Sequence, residues 1–132
     1  MGFTAYASQT RTFLAGDVVI FDVAISNFGG HYDPTTSTFY CPYHAVYMVN
    51  INLAAGDNER LGGIIHKDGS YIGEAVAHFI TEVIPTASAF VITECEPNQV
   101  IWIMSDANNN VMLSSNSDRR SLFSVFLLQK IE

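Results

Sequence analysis

The sequence predicts an all-β protein built as a sandwich. Three observations carry this. Apolar segments of period two recur along the whole chain. Gly, Pro, Asn and Asp turn signals separate them at short intervals. No window of about 11 residues favours a helix over a strand. About ten short strands with turns between them pack as two facing sheets.

The elements follow in order. Phe3 to Ser8 reads as a short strand at a sheet edge, and Thr10 to Gly16 as a connection. Val18 to Ile25 alternates, with Val19, Phe21, Val23 and Ile25 on one face. Asn27 to Ser37 is a long turn region, because Gly29-Gly30 permits positive φ and Pro34 disfavours helix at Asp33. Phe39 to Cys41 is a brief strand ended by Pro42. Ala45 to Leu53 is the longest alternating run. Ala45, Tyr47, Val49, Ile51 and Leu53 face one way, and Val46, Met48, Asn50 and Asn52 face the other. That second face passes from apolar to polar, so one end is covered and the other is wet. Leu61 to His66 and Tyr71 to Phe79 form a hairpin over Asp68-Gly69, a tight-turn signal. Thr81 to Thr86 is a loop, and Ala87 to Cys95, Val100 to Met104 and Val111 to Leu113 are strands. Leu122 to Ile131 closes the chain. It is apolar on both faces, so it belongs in the middle of a sheet, where the two chain ends would pair.

Size and composition bound the function. The 132 residues suffice for one domain, spanning 1–132, that needs no metal to fold. Charged residues are only 14 %, against about 25 % in an average domain. The net charge is −7 and only Arg119-Arg120 are adjacent cations, which argues against nucleic acid and anionic membranes. No apolar run approaches the ~18 residues of a membrane helix. Met1 to Thr10 shows no signal peptide. Cys41 and Cys95 make neither a disulfide framework nor a zinc site; two buried thiols on separate strands are the favoured reading, and the alternative is one bridge closing a long loop, worth about 4 kcal/mol in the entropic model.

The stretch from Ile20 to Val49 resembles the globular head of complement C1q, a ten-stranded jelly roll related to tumour necrosis factor. The resemblance rests on Ile20-Phe21, Asn27, Gly29-Gly30-His31-Tyr32-Asp33, Thr35-Thr36, Phe39-Tyr40-Cys41 and Val46-Tyr47-Met48-Val49. It continues through Gln99-Val100-Ile101-Trp102 and Ser121-Leu122-Phe123-Ser124-Val125-Phe126-Leu127-Leu128. The chain departs from the family where Ser37, Ala45, Asn98 and Val125 replace glycines. Ser37 and Asn98 suit turns, whereas Ala45 and Val125 add bulk.

The resemblance implies a secreted, extracellular homotrimer packed through an apolar sheet surface. Trp102 and Tyr47 are expected in the core or at that subunit interface. Some family members bind calcium in the loop before the strand beginning at Ala87. Here that loop offers Ala77, His78 and Pro85, with Glu74 and Glu82 nearby. Calcium takes six to eight oxygens, so neither a calcium site nor any other cofactor is expected. The sequence carries no G-x-S-x-G, H-E-x-x-H, P-loop or dinucleotide fingerprint. His31, His44, His66 and His78 lie on separate elements. No enzyme is expected. The function implied is a lectin-like innate immune module that binds carbohydrate or microbial surface ligands. The alternatives are a structural, trimerising head and a cytokine-like receptor ligand. Ligands would meet loops, and three are polar enough: Asp57, Asn58, Glu59 and Arg60; Asp106, Asn108, Asn109 and Asn110; and Asn116, Asp118, Arg119 and Arg120. Asn, Asp and Arg side chains hydrogen-bond sugar hydroxyls, and Arg pairs with carboxylates.

Overall fold

A computed structural model describes residues 1–56, 58–78 and 83–132. Asp57, Glu82 and the expected strand end at Phe79 lie outside the described residues. Twelve strands occur among those described: β1 (Gly2–Tyr6), β2 (Arg11–Phe13), β3 (Val23–Phe28), β4 (Tyr32–Asp33), β5 (Thr38–Tyr40) and β6 (Ala45–Ala54), then β7 (Leu61–Lys67), β8 (Ser70–Ala77), β9 (Thr86–Cys95), β10 (Val100–Ser105), β11 (Asn110–Met112) and β12 (Leu122–Lys130). They form two five-stranded sheets, β3-β1-β12-β6-β9 and β4-β5-β10-β7-β8, and a small pair β11-β2.

The closing strand β12 sits at the centre of the first sheet, as its apolar faces require. It pairs with β1 on one side (Phe3 opposite Val125) and β6 on the other (Val49 opposite Val125). β1 is therefore an inner strand, not the edge strand expected, because β3 covers its other side. The connection after β1 also contains a strand: Arg11–Phe13 pairs with Asn110–Met112.

Alternation along β6 holds throughout. Ala45, Tyr47, Val49, Ile51 and Leu53 are wholly buried between the sheets. Around them pack Phe3, stacked on Tyr32 at 3.9 Å, and Phe123, edge-on to Phe3 at 5.0 Å. The expected face of Val19, Phe21, Val23 and Ile25 breaks after Phe21, since Ala24 and not Val23 packs against the core. Val19 and Phe21 are core, but Ile25 is exposed. The β1–β3 register jumps from Thr4–Ser26 to Ala5–Ala24, leaving Ile25 as the extra residue of a bulge. The β7–β8 turn is as expected, with Asp68 (φ 46°) and Gly69 (φ 90°) both left-handed.

Cys41 and Cys95 are not separate thiols. They form a disulfide with Cα atoms 6.3 Å apart. The reason is topological. Cys41 follows β5 in one sheet and Cys95 ends β9 in the other, so the two sheets are tied at one end of the sandwich. Two glycine replacements are also explained. Ser37 (φ 56°) and Asn98 (φ 69°) occupy left-handed positions where glycine would be unstrained. Ser37 is retained through its hydroxyl, which accepts a 2.9 Å bond from the Phe21 amide.

Candidate functional site

The three polar loops converge at the end of the sandwich opposite the chain termini. Ala54, at the end of β6, donates its amide to Ser121 Oγ (3.1 Å), just before β12. Asp106, just after β10, donates its amide to the Gly62 carbonyl at the start of β7 (3.2 Å). The loops are thus neighbours, but much of their chemistry is directed inward.

Arg60 makes a two-pronged ion pair with Asp106, Nη1 to Oδ1 at 2.9 Å and Nη2 to Oδ2 at 2.7 Å. Arg60 Nη1 also donates to Asn110 Oδ1 at 2.8 Å. The Asn110 amide lies within bonding reach of Gly62 O, Ser105 Oγ and Asp106 Oδ1. The hydrogen bonds from Arg60 hold the Asp106 carboxyl below its ordinary pKa, and Asn110 adds to the effect. Asp106 in turn raises Arg60 above its ordinary value. Gly62 makes room for this cluster, since a Cβ there would meet the Asp106 carboxylate at 2.3 Å. Asn110 is wholly buried, so it is a structural residue and not an exposed ligand contact. Its spacing in an Asn run concealed this.

The third loop is also braced. Arg119 lies over the Tyr6 ring, 4.3 Å from its centroid. Tyr6 donates its hydroxyl to Asn116 Oδ1 at 2.9 Å. Asn108 Oδ1 accepts from the Ala15 amide at 3.0 Å. Asn58, Glu59, Asn109, Asp118 and Arg120 remain exposed, and Asp57 lies outside the described residues.

Register across the first sheet reveals a second surface. Phe28, Gly2, Phe126, Met48 and Ile92 are successive cross-strand neighbours on its outward face. Phe28 is 71 % exposed, Ile92 56 % and Phe126 41 %. The Gly2 position must stay small, because a Cβ there would lie 2.7 Å from that of Phe126. The next row is Ser26, Thr4, Ser124, Asn50 and Phe90. Between the rows lies a cavity of about 360 Å³ lined by Thr4, Met48, Asn50, Phe90, Ser124 and Phe126. The sequence marked only its Val46–Met48 part. The signal for the rest is register, since the row draws one residue from each of five strands.

The remaining sequence candidates fall elsewhere. Tyr47 is in the core, and its hydroxyl donates to the Tyr43 carbonyl at 2.7 Å. Trp102 lies on the outward face of the second sheet against His66, with ring centroids 4.6 Å apart. It is therefore away from the apolar row. His44 pairs with Glu94. Glu74 lies across from Ile64 on the second sheet, and Ala77 is buried. Glu82 lies outside the described residues. Among the described residues no three His, Cys, Asp or Glu side chains converge as metal ligands.

The C1q domain family model matches residues 2–128. The chain is a member of the C1q-domain family. A curated relative is mouse complement C1q tumor necrosis factor-related protein 7, 27 % identical over 111 residues, or 83 % of this chain. The chain spans 38 % of that relative's length. Among solved structures, the globular domain of zebrafish complement 1qA superposes with a TM-score of 0.80 at 15 % identity, covering 98 % of both chains. The Eiger TNF of S. frugiperda gives 0.74 at 13 % identity, covering 99 % of this chain and 92 % of its own. At these identities the likeness is one of fold, and it establishes the jelly roll shared by C1q and TNF domains.

Proposed function

We propose that this C1q domain is a homotrimeric, non-enzymatic recognition module outside the cell, whose ligands are carbohydrates or other microbial surface groups. The single observation that supports the assembly is the apolar row Phe28-Gly2-Phe126-Met48-Ile92. A continuous aromatic and aliphatic band on an outward sheet face marks a surface that another chain covers. Two further copies around a three-fold axis would cover it and close the assembly. Family membership favours that occupant over others.

The buried disulfide suits an oxidising, extracellular compartment. No helix among the described residues is long and apolar enough to cross a membrane. Three copies of the exposed loop residues Asn58, Glu59, Asn109, Asp118 and Arg120 would point the same way. Weak single-site sugar binding would then gain through avidity. A glycan array probed with the protein at high concentration tests the ligand class. Selective retention of a glycan group supports the reading, and uniform absence of binding removes the carbohydrate part.

One observation favours a second reading. The chain covers 38 % of a relative named for tumour necrosis factor, and its fold is shared with TNF ligands. A trimerising head or a cytokine-like receptor ligand fits both. A receptor pull-down insensitive to competing sugars would support that reading.

A further inference from the structure

The outward side of the second sheet carries a cleft separate from the end loops. It measures about 380 Å³ and is lined by Gly30, His31, Tyr32, Asp33, Pro34 and Tyr40. Small-molecule sites span about 300–1,000 Å³. The local backbone builds it. Gly29 (φ 92°) and Gly30 (φ 72°) turn the chain into β4. The His31 imidazole folds back over Gly29, where a Cβ would come within 2.9 Å of it. The Tyr40 amide donates to the His31 carbonyl at 3.0 Å, which sets the two side by side.

Alternation then sorts the side chains. Tyr32 and Phe39 are cross-strand partners and both are core. Their neighbours His31, Asp33 and Tyr40 therefore face outward. Burial of Tyr32 is fixed by its hydroxyl, which donates to the Phe21 carbonyl at 2.7 Å. Asp33 Oδ1 accepts from the Thr35 amide at 2.9 Å. Among the described residues, Asp33 Oδ2, the His31 ring nitrogens and the Tyr40 hydroxyl make no protein hydrogen bond. Tyr40 is 45 % exposed. A half-open aromatic ring thus stands beside a carboxylate oxygen and an imidazole with unused bonding capacity. No Lys or Arg lines the cleft.

We infer that this cleft is a subsite for one uncharged sugar residue. The claim rests on the carbohydrate reading above and moves the site from the end loops to the sheet face. The Tyr40 ring stacks on the C–H face of the sugar. Asp33 Oδ2 accepts from ring hydroxyls, and His31 and the Tyr40 hydroxyl exchange further hydrogen bonds with them. An anionic sugar is disfavoured because Asp33 is unopposed. The cleft belongs to the second sheet, and the Phe28 end of the apolar row on the first sheet stands two residues before its Gly30.

The test combines two readouts on the intact protein. NMR titration with free galactose, mannose and N-acetylglucosamine, with N-acetylneuraminic acid as the anionic comparison, follows the His31 and Tyr40 signals. A glycan array compares the wild type with Tyr40→Ala, Tyr40→Phe, Asp33→Asn and the loop variant Arg120→Ala. The expected result is a shift of His31 and Tyr40 by a neutral sugar. Tyr40→Ala and Asp33→Asn should lose about tenfold or more in apparent affinity, the scale of one or two lost contacts. Tyr40→Phe, which keeps the stacking ring and gives up one hydroxyl contact, should lose less than Tyr40→Ala, and Arg120→Ala should lose less than either Tyr40→Ala or Asp33→Asn. Glycan binding by the wild type that both Tyr40→Ala and Asp33→Asn retain would overturn the subsite and leave the carbohydrate reading standing. Preference for the anionic sugar would overturn the claim about charge. Absence of any sugar binding by the wild type would overturn the subsite and the carbohydrate reading together.

Discussion

Replacing Asn110 by Ala is the sharpest test of how the end loops are held. Asn110 is wholly buried. Its amide nitrogen lies 3.1 Å from Gly62 O, 2.9 Å from Ser105 Oγ and 2.9 Å from Asp106 Oδ1, and its oxygen accepts from Arg60 at 2.8 Å. An ordinary hydrogen bond contributes about 1 kcal/mol and one to a charged group about 1.5–3 kcal/mol. The amide has two N–H groups to share among three acceptors, and Arg60 keeps its pair with Asp106. Removing the side chain should therefore cost about 3–5 kcal/mol. At about 4 °C per kcal/mol for a domain of this size, Tm should fall by about 12–20 °C. Thermal melts at one fixed protein concentration read this, because unfolding of an oligomer depends on concentration. Asn108→Ala is the comparator. It lies in the same loop, is exposed and makes one bond to the Ala15 amide, so it should lose less than about 1.5 kcal/mol. Equal, small losses for both variants would refute the assignment of Asn110 as a buried structural residue.

Three further outcomes follow from the same geometry. Replacing Cys41 and Cys95 by Ser frees a loop with a sequence separation of 54, which should cost about 4 kcal/mol in the chain-entropy model, seen as a lower urea midpoint. Gly62→Ala places a Cβ against the Asp106 carboxylate and should cost about 1–3 kcal/mol. The loss should shrink in an Asp106→Ala background, as a double-mutant cycle would show. Asp106 titrates below its ordinary value in the folded protein. Its contribution is therefore fully present above the unfolded pKa of about 3.9 and disappears as pH falls through the folded value. Urea midpoints taken downward from pH 5 should fall less steeply for Asp106→Asn than for the wild type.

What could be read from the sequence divides along local and non-local lines. The β6 core face, the Asp68-Gly69 hairpin and the central place of β12 were legible, because alternation and turn chemistry are written in consecutive residues. The bulge at Ile25 was not, since an extra residue shows itself only against a partner strand. The disulfide ranks below two free thiols in the sequence for a related reason. Cys41 and Cys95 are brought together by two sheets meeting, and their spacing carries no sign of it. Arg60, Asp106 and Asn110 were singled out as polar loop residues, but polarity does not distinguish a ligand contact from a buried bracket. The cleft lined by His31, Asp33 and Tyr40 sits inside the Gly29 to Tyr40 stretch. That stretch reads as a fold signature, and only the alternation of Tyr32 and Phe39 into the core leaves His31, Asp33 and Tyr40 free to meet a ligand.

The apolar row on the first sheet underlies the whole functional account, and the mass of the assembly tests it most directly. Light scattering at micromolar concentration should give close to three times the 14.5 kDa chain mass. Phe126→Asp, which puts a charge in the middle of the row, should shift the protein toward the single-chain mass while leaving it folded. A wild-type mass near 14.5 kDa at that concentration would contradict the trimer and the recognition mode built on it.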